Sequence, residues 1–135
     1  MSPLILGKTA SIERSVVRAR EEFASAGEHF ATDFTRQDAA ILNILRACEL
    51  AIDVANIQIR ERGLGVPQSS RDSFALLAQA KLISAELSER LQRMIGFRNI
   101  AVHQYQTLDM TIVQAVVQRD LDDLLAFSRA MIAQS

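Results

Sequence analysis

Apolar residues return along this chain at steps of three, four and seven, the period of a helix rather than the alternation of a strand. Ile5, Ile12, Val16, Ala19, Phe23, Ala26 and Phe30 share one face, which predicts a first helix from about residue 7 into the mid-twenties. Gly27 allows that helix to bend or end there. His29 follows it with no second His, Cys or carboxylate at ligand spacing, so it reads as a surface or capping residue.

A longer helix is predicted next, capped by Asp33, or by Thr35 with Asp38 in the position of a capping box. It should run to about Arg62, where Gly63-Leu64-Gly65-Val66-Pro67 stops it. Ile41, Leu45, Cys48, Ile52, Ala55 and Ile59 form one apolar stripe, and Leu42, Leu50, Val54 and Ile57 form a second. A helix apolar on two sides needs two things to pack against, here the core and a second subunit. Asn43, Arg46, Glu49, Asp53, Asn56 and Arg60 run between the stripes. Two readings of that polar row stand open. It is a solvated face with local pairs such as Arg46–Glu49, or it turns Glu49 or Asp53 toward catalytic residues as a supporting acceptor.

Beyond Pro67 the pattern predicts a short helix capped by Ser69 or Ser70, with Phe74, Leu77 and Leu82 as anchors. Ser84 caps the next, whose stripe reads Leu87, Leu91, Met94 and Ile95. Continued by period, this stripe places Arg98, Val102 and Tyr105 where apolar residues belong. Asp109 caps a last helix with a broad apolar face from Ile112 to Met131, and Asp120, Asp122 and Asp123 fall on its outer side as solubilising charges. The fold class is therefore all-α: an up-and-down bundle of about five helices, one domain over residues 1–135.

Composition agrees with a bundle. Apolar residues make up 49% of the 135, aromatics 5%, with 5 Gly and 2 Pro. The formal net charge of −1 argues against a protein that coats nucleic acid, so any RNA contact must come from a local basic cluster, which two subunits can build together. Cys48, the single cysteine, lies in an apolar run and reads as a small buried hydrophobe. No apolar run approaches the roughly 20 residues that span a bilayer. The start of the chain lacks a signal peptide's order, so a cytoplasmic protein is expected. Neither a phosphate-binding Gly loop nor a Cys/His metal cluster is present, and no cofactor is expected.

One stretch carries chemistry: Arg98-Asn99-Ile100-Ala101-Val102-His103-Gln104-Tyr105, which includes the only Tyr and one of the two His residues. An Arg supplies a fixed fork of donors for a phosphate. A His exchanges protons near neutral pH, its unperturbed pKa being about 6.5. That pair is the least equipment for cutting RNA without a metal. Spacing raises a difficulty, because residues five apart lie about 140° around a straight helix. Either the helix distorts, helped by Gly96, or Arg98 and His103 meet across a two-fold dimer. The dimer is favoured.

The segment resembles the R-x-x-x-x-H-x-Y signature of HepT-type toxins of the HEPN superfamily, and the order of the flanking segments follows that family over most of the chain. The resemblance implies a metal-independent endoribonuclease, the toxin of a toxin–antitoxin pair. It assigns His103 as general base for a 2′-hydroxyl, Arg98 as phosphate ligand and Asn99 as an orienting or phosphate-donating residue. It further implies neutralisation by an MntA-like nucleotidyltransferase antitoxin that adenylylates Tyr105. For that hydroxyl to be reached, the helix should end, bend or unwind near His103–Tyr105. A non-catalytic helical module that binds a nucleotidyltransferase is the alternative, and the intact Arg98, Asn99 and His103 argue against it.

Overall fold

The structure is a computed structural model that describes residues 2–134. Helix α1 (Pro3–Ala26) and helix α2 (Phe34–Arg62) pack along one another, joined by a short 3-10 turn at Gly27–His29. Helices α3 (Ser70–Gln79) and α4 (Ala85–His103) form a second pair. A last rod runs from α5 (Met110–Ala115) through a π-helical turn (Val116–Asp120) into α6 (Leu121–Ala133) and lies against α1, α2 and α4. Among the described residues there is no strand. The all-α, up-and-down expectation holds, and none of these helices is long and apolar enough to cross a membrane.

Local signals set most of the ends. Ser2 accepts from the Ile5 amide and Pro3 opens the helix, so α1 starts earlier than its apolar face suggested. Asp33, not Thr35, caps α2 by accepting from the Arg36 amide at 3.0 Å. This takes Asp38 out of the capping-box role and leaves it on the second turn. Gly63 ends α2 in the left-handed region at φ 62°, where a side chain would be strained. Ser69, Ser84 and Asp109 cap α3, α4 and α5 as read from the sequence.

The core gathers Ile12, Val16 and Ala19 of α1 with Ile41, Ile44, Cys48 and Ala51 of α2. Phe74 and Phe127 meet edge to face with centroids 5.5 Å apart, a favoured aromatic geometry. Val54 and Ile57, assigned to the second stripe of α2, belong to this same core. Leu42 is exposed and Leu50 half-buried, so that second surface is shorter than the sequence suggested.

Two expectations are corrected. The buried stripe of α4 does not continue to Arg98 and Val102: after Met94 and Ile95 it passes through Phe97 and Ala101, both buried. A step of three and a step of four are equally helical, and the one taken keeps a guanidinium out of the core. The acidic residues of the last rod also do more than solubilise it. Asp122 pairs with Arg20 of α1 at 2.8 Å, and Asp123 with Arg90 of α4 at 2.8 Å. The π turn shares in this, since Arg20 Nε also donates to the Val117 carbonyl within the turn, at 3.2 Å. Asp120 pairs with its neighbour Arg119.

Candidate active site

Helix α4 delivers the motif. It is helical up to His103, and Gln104 closes it with φ −136°, its amide donating to the Ile100 carbonyl at 2.7 Å. A 3-10 turn over Tyr105–Thr107 follows. The helix therefore ends at the His103–Tyr105 step, as required for the Tyr to swing off the helical path. Distortion inside the motif is not seen. Gly96 instead makes room for Arg71 of α3: a Cβ there would stand 2.7 Å from the Arg71 Nη2.

Arg98 lies on the flank of α4, its side chain a quarter exposed. Its Nε donates to Glu49 Oε1 at 2.5 Å and its Nη1 to Asn99 Oδ1 at 2.8 Å. Glu49 thus faces the motif helix. Asp53 does not, pairing with Lys8 of α1 at 3.4 Å. Asn99 directs its oxygen to Arg98 rather than to His103. Of the polar row on α2, one acceptor reaches the motif while Asn43, at 4% exposure, is buried rather than solvated.

Arg98 opens into a groove of about 830 Å³ between α1, α2 and α4. Arg14, Arg18 and Arg46 join it there, against the single carboxylate of Glu49, with Leu42, Leu45, Leu50 and Val102 as the apolar part of the wall. This is a local cationic cluster on a chain whose net charge is −1. The spacing of Arg14 and Arg18, four apart on α1, was the signal in the sequence that went unread. At the groove wall, Asn43 Nδ2 donates to the Ala39 carbonyl while its Oδ1 has no partner within the described residues.

His103 looks elsewhere. It is exposed and borders a separate hollow of about 460 Å³ formed with Val102, Tyr105 and the turn that follows. Val102 is the wall the two hollows share. Within one chain, Arg98, Asn99 and Glu49 come together and His103 stays apart.

The Tyr105 hydroxyl donates to Asp38 Oδ1 of α2, a contact across 67 residues that no spacing announces. Partial burial of the phenol, that hydrogen bond and the Asp38 charge push Tyr105 from 10.0 up to about 12. Cys48 is fully buried and its thiol is likewise pushed up to about 12, by burial first and the Glu49 charge second, with Arg98 opposing. It is a packed hydrophobe, not a nucleophile. No group of three or more His, Cys, Asp or Glu that could hold a metal ion occurs among the described residues.

A bundle whose fourth helix ends on Arg-Asn-x-x-x-His, with the motif Tyr in the turn that follows and a basic groove beside it, defines a HEPN-type domain, and known proteins agree. The family described as Ribonuclease HepT-like matches residues 12–131. The mRNA nuclease HepT of Shewanella oneidensis is 50% identical over 127 residues, covering 94% of this chain and 95% of that one. A tri-AMPylated Shewanella oneidensis HEPN toxin, solved in complex with its MNT antitoxin, superposes with a TM-score of 0.93 at 47% identity, over 98% of this chain and 99% of that one. The Bacillus subtilis cytosolic protein YutE shares the fold alone, with a TM-score of 0.72 at 17% identity, covering 93% and 88% of the two chains. This chain belongs to the HepT-like ribonuclease family. It is a ribonuclease.

Proposed function

We propose that the protein is the toxin of a toxin–antitoxin pair and cuts RNA at a site assembled from two copies of the chain. The observation that carries this reading is the separation of Arg98 and His103 into neighbouring hollows on either side of Val102. A two-fold axis beside the ends of both α4 helices would bring Arg98 of one copy toward His103 of the other. Exposed Leu42 and Val102 support burial of this groove wall against a second copy.

In that site the Arg98 fork, held by Glu49, binds the scissile phosphate and offsets its growing charge. His103 takes the proton of the adjacent 2′-hydroxyl as that oxygen attacks phosphorus. The 5′-oxygen leaves, and a 2′,3′-cyclic phosphate remains. Asn99 stands against Arg98, which supports a role in presenting the fork or donating to the phosphate. Arg14, Arg18 and Arg46 extend the cationic track for the RNA backbone.

Control follows the relative solved with its antitoxin. A nucleotidyltransferase of the MNT type adenylylates Tyr105, and the added phosphodiester charge and bulk beside His103 exclude RNA. Such a partner, RNA and a second copy of the chain are the interactions proposed, in the cytoplasm. Purified protein incubated with total RNA should cleave it equally with and without EDTA, and Tyr105→Phe should retain cleavage while escaping neutralisation by the antitoxin. RNA left intact by the wild-type chain overturns the catalytic reading. Tyr105→Phe neutralised as fully as wild type overturns adenylylation as the control.

A further inference from the structure

The bond between Tyr105 and Asp38 has a consequence for the modification itself. Asp38 stands on α2, exposed, and Tyr105 is the one hydrogen-bond partner of its carboxylate among the described residues. No Lys or Arg pairs with it there. Tyr105 is itself exposed, at 40%, while its hydroxyl donates to Asp38. The end of α4 at Gln104 holds this arrangement, because the 3-10 turn carries Tyr105 off the helical path and toward the second turn of α2.

A tyrosine hydroxyl is a poor nucleophile until its proton has somewhere to go. A carboxylate already accepting that proton is the usual solution for hydroxyl attack on phosphorus, as with the Asp of protein kinases. We infer that Asp38 is a catalytic residue of the adenylylation: the chain that is modified supplies the base for its own modification. The Tyr105 oxygen attacks the α-phosphorus of a nucleoside triphosphate, its proton passes to the Asp38 carboxylate, and a Tyr–O–P bond forms. The bond from the α-phosphorus to the bridging oxygen breaks, and pyrophosphate leaves with that electron pair. The partner then needs to present the nucleotide but not a base. The inference rests on the adenylylation reading above.

Asp38→Asn separates base from scaffold, since the carboxamide oxygen still accepts a hydrogen bond from the phenol but takes no proton. Asp38→Glu keeps a carboxylate on a longer stem. Each chain would be incubated with an MNT-type nucleotidyltransferase and ATP, and AMP addition followed by intact mass and mapped by peptide digestion. Asp38→Asn should slow addition about 10²–10⁴-fold, the range of a general base, and Asp38→Glu should recover a substantial part of the loss. Tyr105 is the only tyrosine, so growth on 3,5-difluorotyrosine changes that phenol alone. The more acidic phenol should speed modification of Asp38→Asn far more than that of wild type, which a merely structural contact would not produce. Modification of Asp38→Asn within about threefold of wild type, or no gain from the fluorinated phenol, overturns the role of Asp38 and leaves adenylylation standing. A wild-type chain that receives no AMP overturns the adenylylation reading, and the role of Asp38 with it.

Discussion

Along its first three turns and into its middle, α4 is built into the bundle: Leu87, Leu91, Met94, Ile95 and Phe97 are buried, and the Ser88 hydroxyl donates to the Phe74 carbonyl at 3.0 Å. From Ile100 onward only Ala101 keeps the same helix in the core. Ile100 and Val102 are about half exposed, His103 and Tyr105 are exposed, and the Arg98 fork projects over a groove. One end is fixed by burial, about 25 cal/mol for each Å² of apolar surface removed from water. The other keeps apolar and reactive groups at the surface, a cost that a second copy and a substrate would offset. The difference teaches that stability and chemistry are divided along one helix, so substitutions at its two ends should fail in different ways.

The largest effect belongs to the exposed end. His103→Ala should lower RNA cleavage by about 10²–10⁴-fold with its urea midpoint unchanged, the range expected on losing a general base. Arg98→Ala should do the same through loss of the phosphate fork. Equal destabilisation and inactivation would erase the division. At the buried end the pattern reverses. Phe74, on which that end rests, packs against Phe127 with no exposure. Phe74→Ala should cost about 3–5 kcal/mol of stability in urea titrations while each folded molecule retains its cleavage rate.

Between the two ends sits Glu49, half exposed and bonded to Arg98. Glu49→Gln should lower cleavage by up to about tenfold, because a partly solvated charged hydrogen bond contributes on the order of 1 kcal/mol. Asp53→Asn, whose partner is Lys8, should leave the rate unchanged. An equal loss in both variants would mean that the charge of α2, rather than the aim of Arg98, matters.

The smallest effect is a titration. Tyr105 is protonated in the folded chain up to about 12 against an ordinary 10, so its contribution to stability is fully present below pH 10 and is lost as pH rises toward 12. With one Tyr and no Trp in the chain, phenolate absorbance reports this group cleanly. Asp38→Asn should bring the midpoint part of the way back toward 10, the remainder being due to burial. An unmoved midpoint would mean that the two groups do not touch.

The sequence revealed what is local. Caps at Asp33, Ser69, Ser84 and Asp109 and the stop at Gly63 use contacts within a few residues, and each can be read from residue type and spacing. The motif was legible for the same reason, as Arg98, Asn99, His103 and Tyr105 lie within eight positions. Contacts between elements were not. Nothing in spacing distinguishes Glu49, which meets Arg98, from Asp53, which meets Lys8, since both sit on one polar row. Asp38 looked like half of a capping box until Asp33 took the cap. The turn of the α4 stripe onto Phe97 and Ala101 depends on which neighbour fills the space, and period alone does not say.

The composite site is tested most directly by mixing two inactive chains. Arg98→Ala and His103→Ala would be purified separately, co-incubated at micromolar concentration under conditions that let subunits exchange, and assayed on RNA. If each site takes Arg98 from one copy and His103 from the other, random pairing makes half the dimers mixed, each with one intact site of two. The mixture should then recover about a quarter of wild-type activity. Exchange confirmed by native mass spectrometry, with cleavage no higher than in either variant alone, would contradict a shared site and place both residues' work within a single chain.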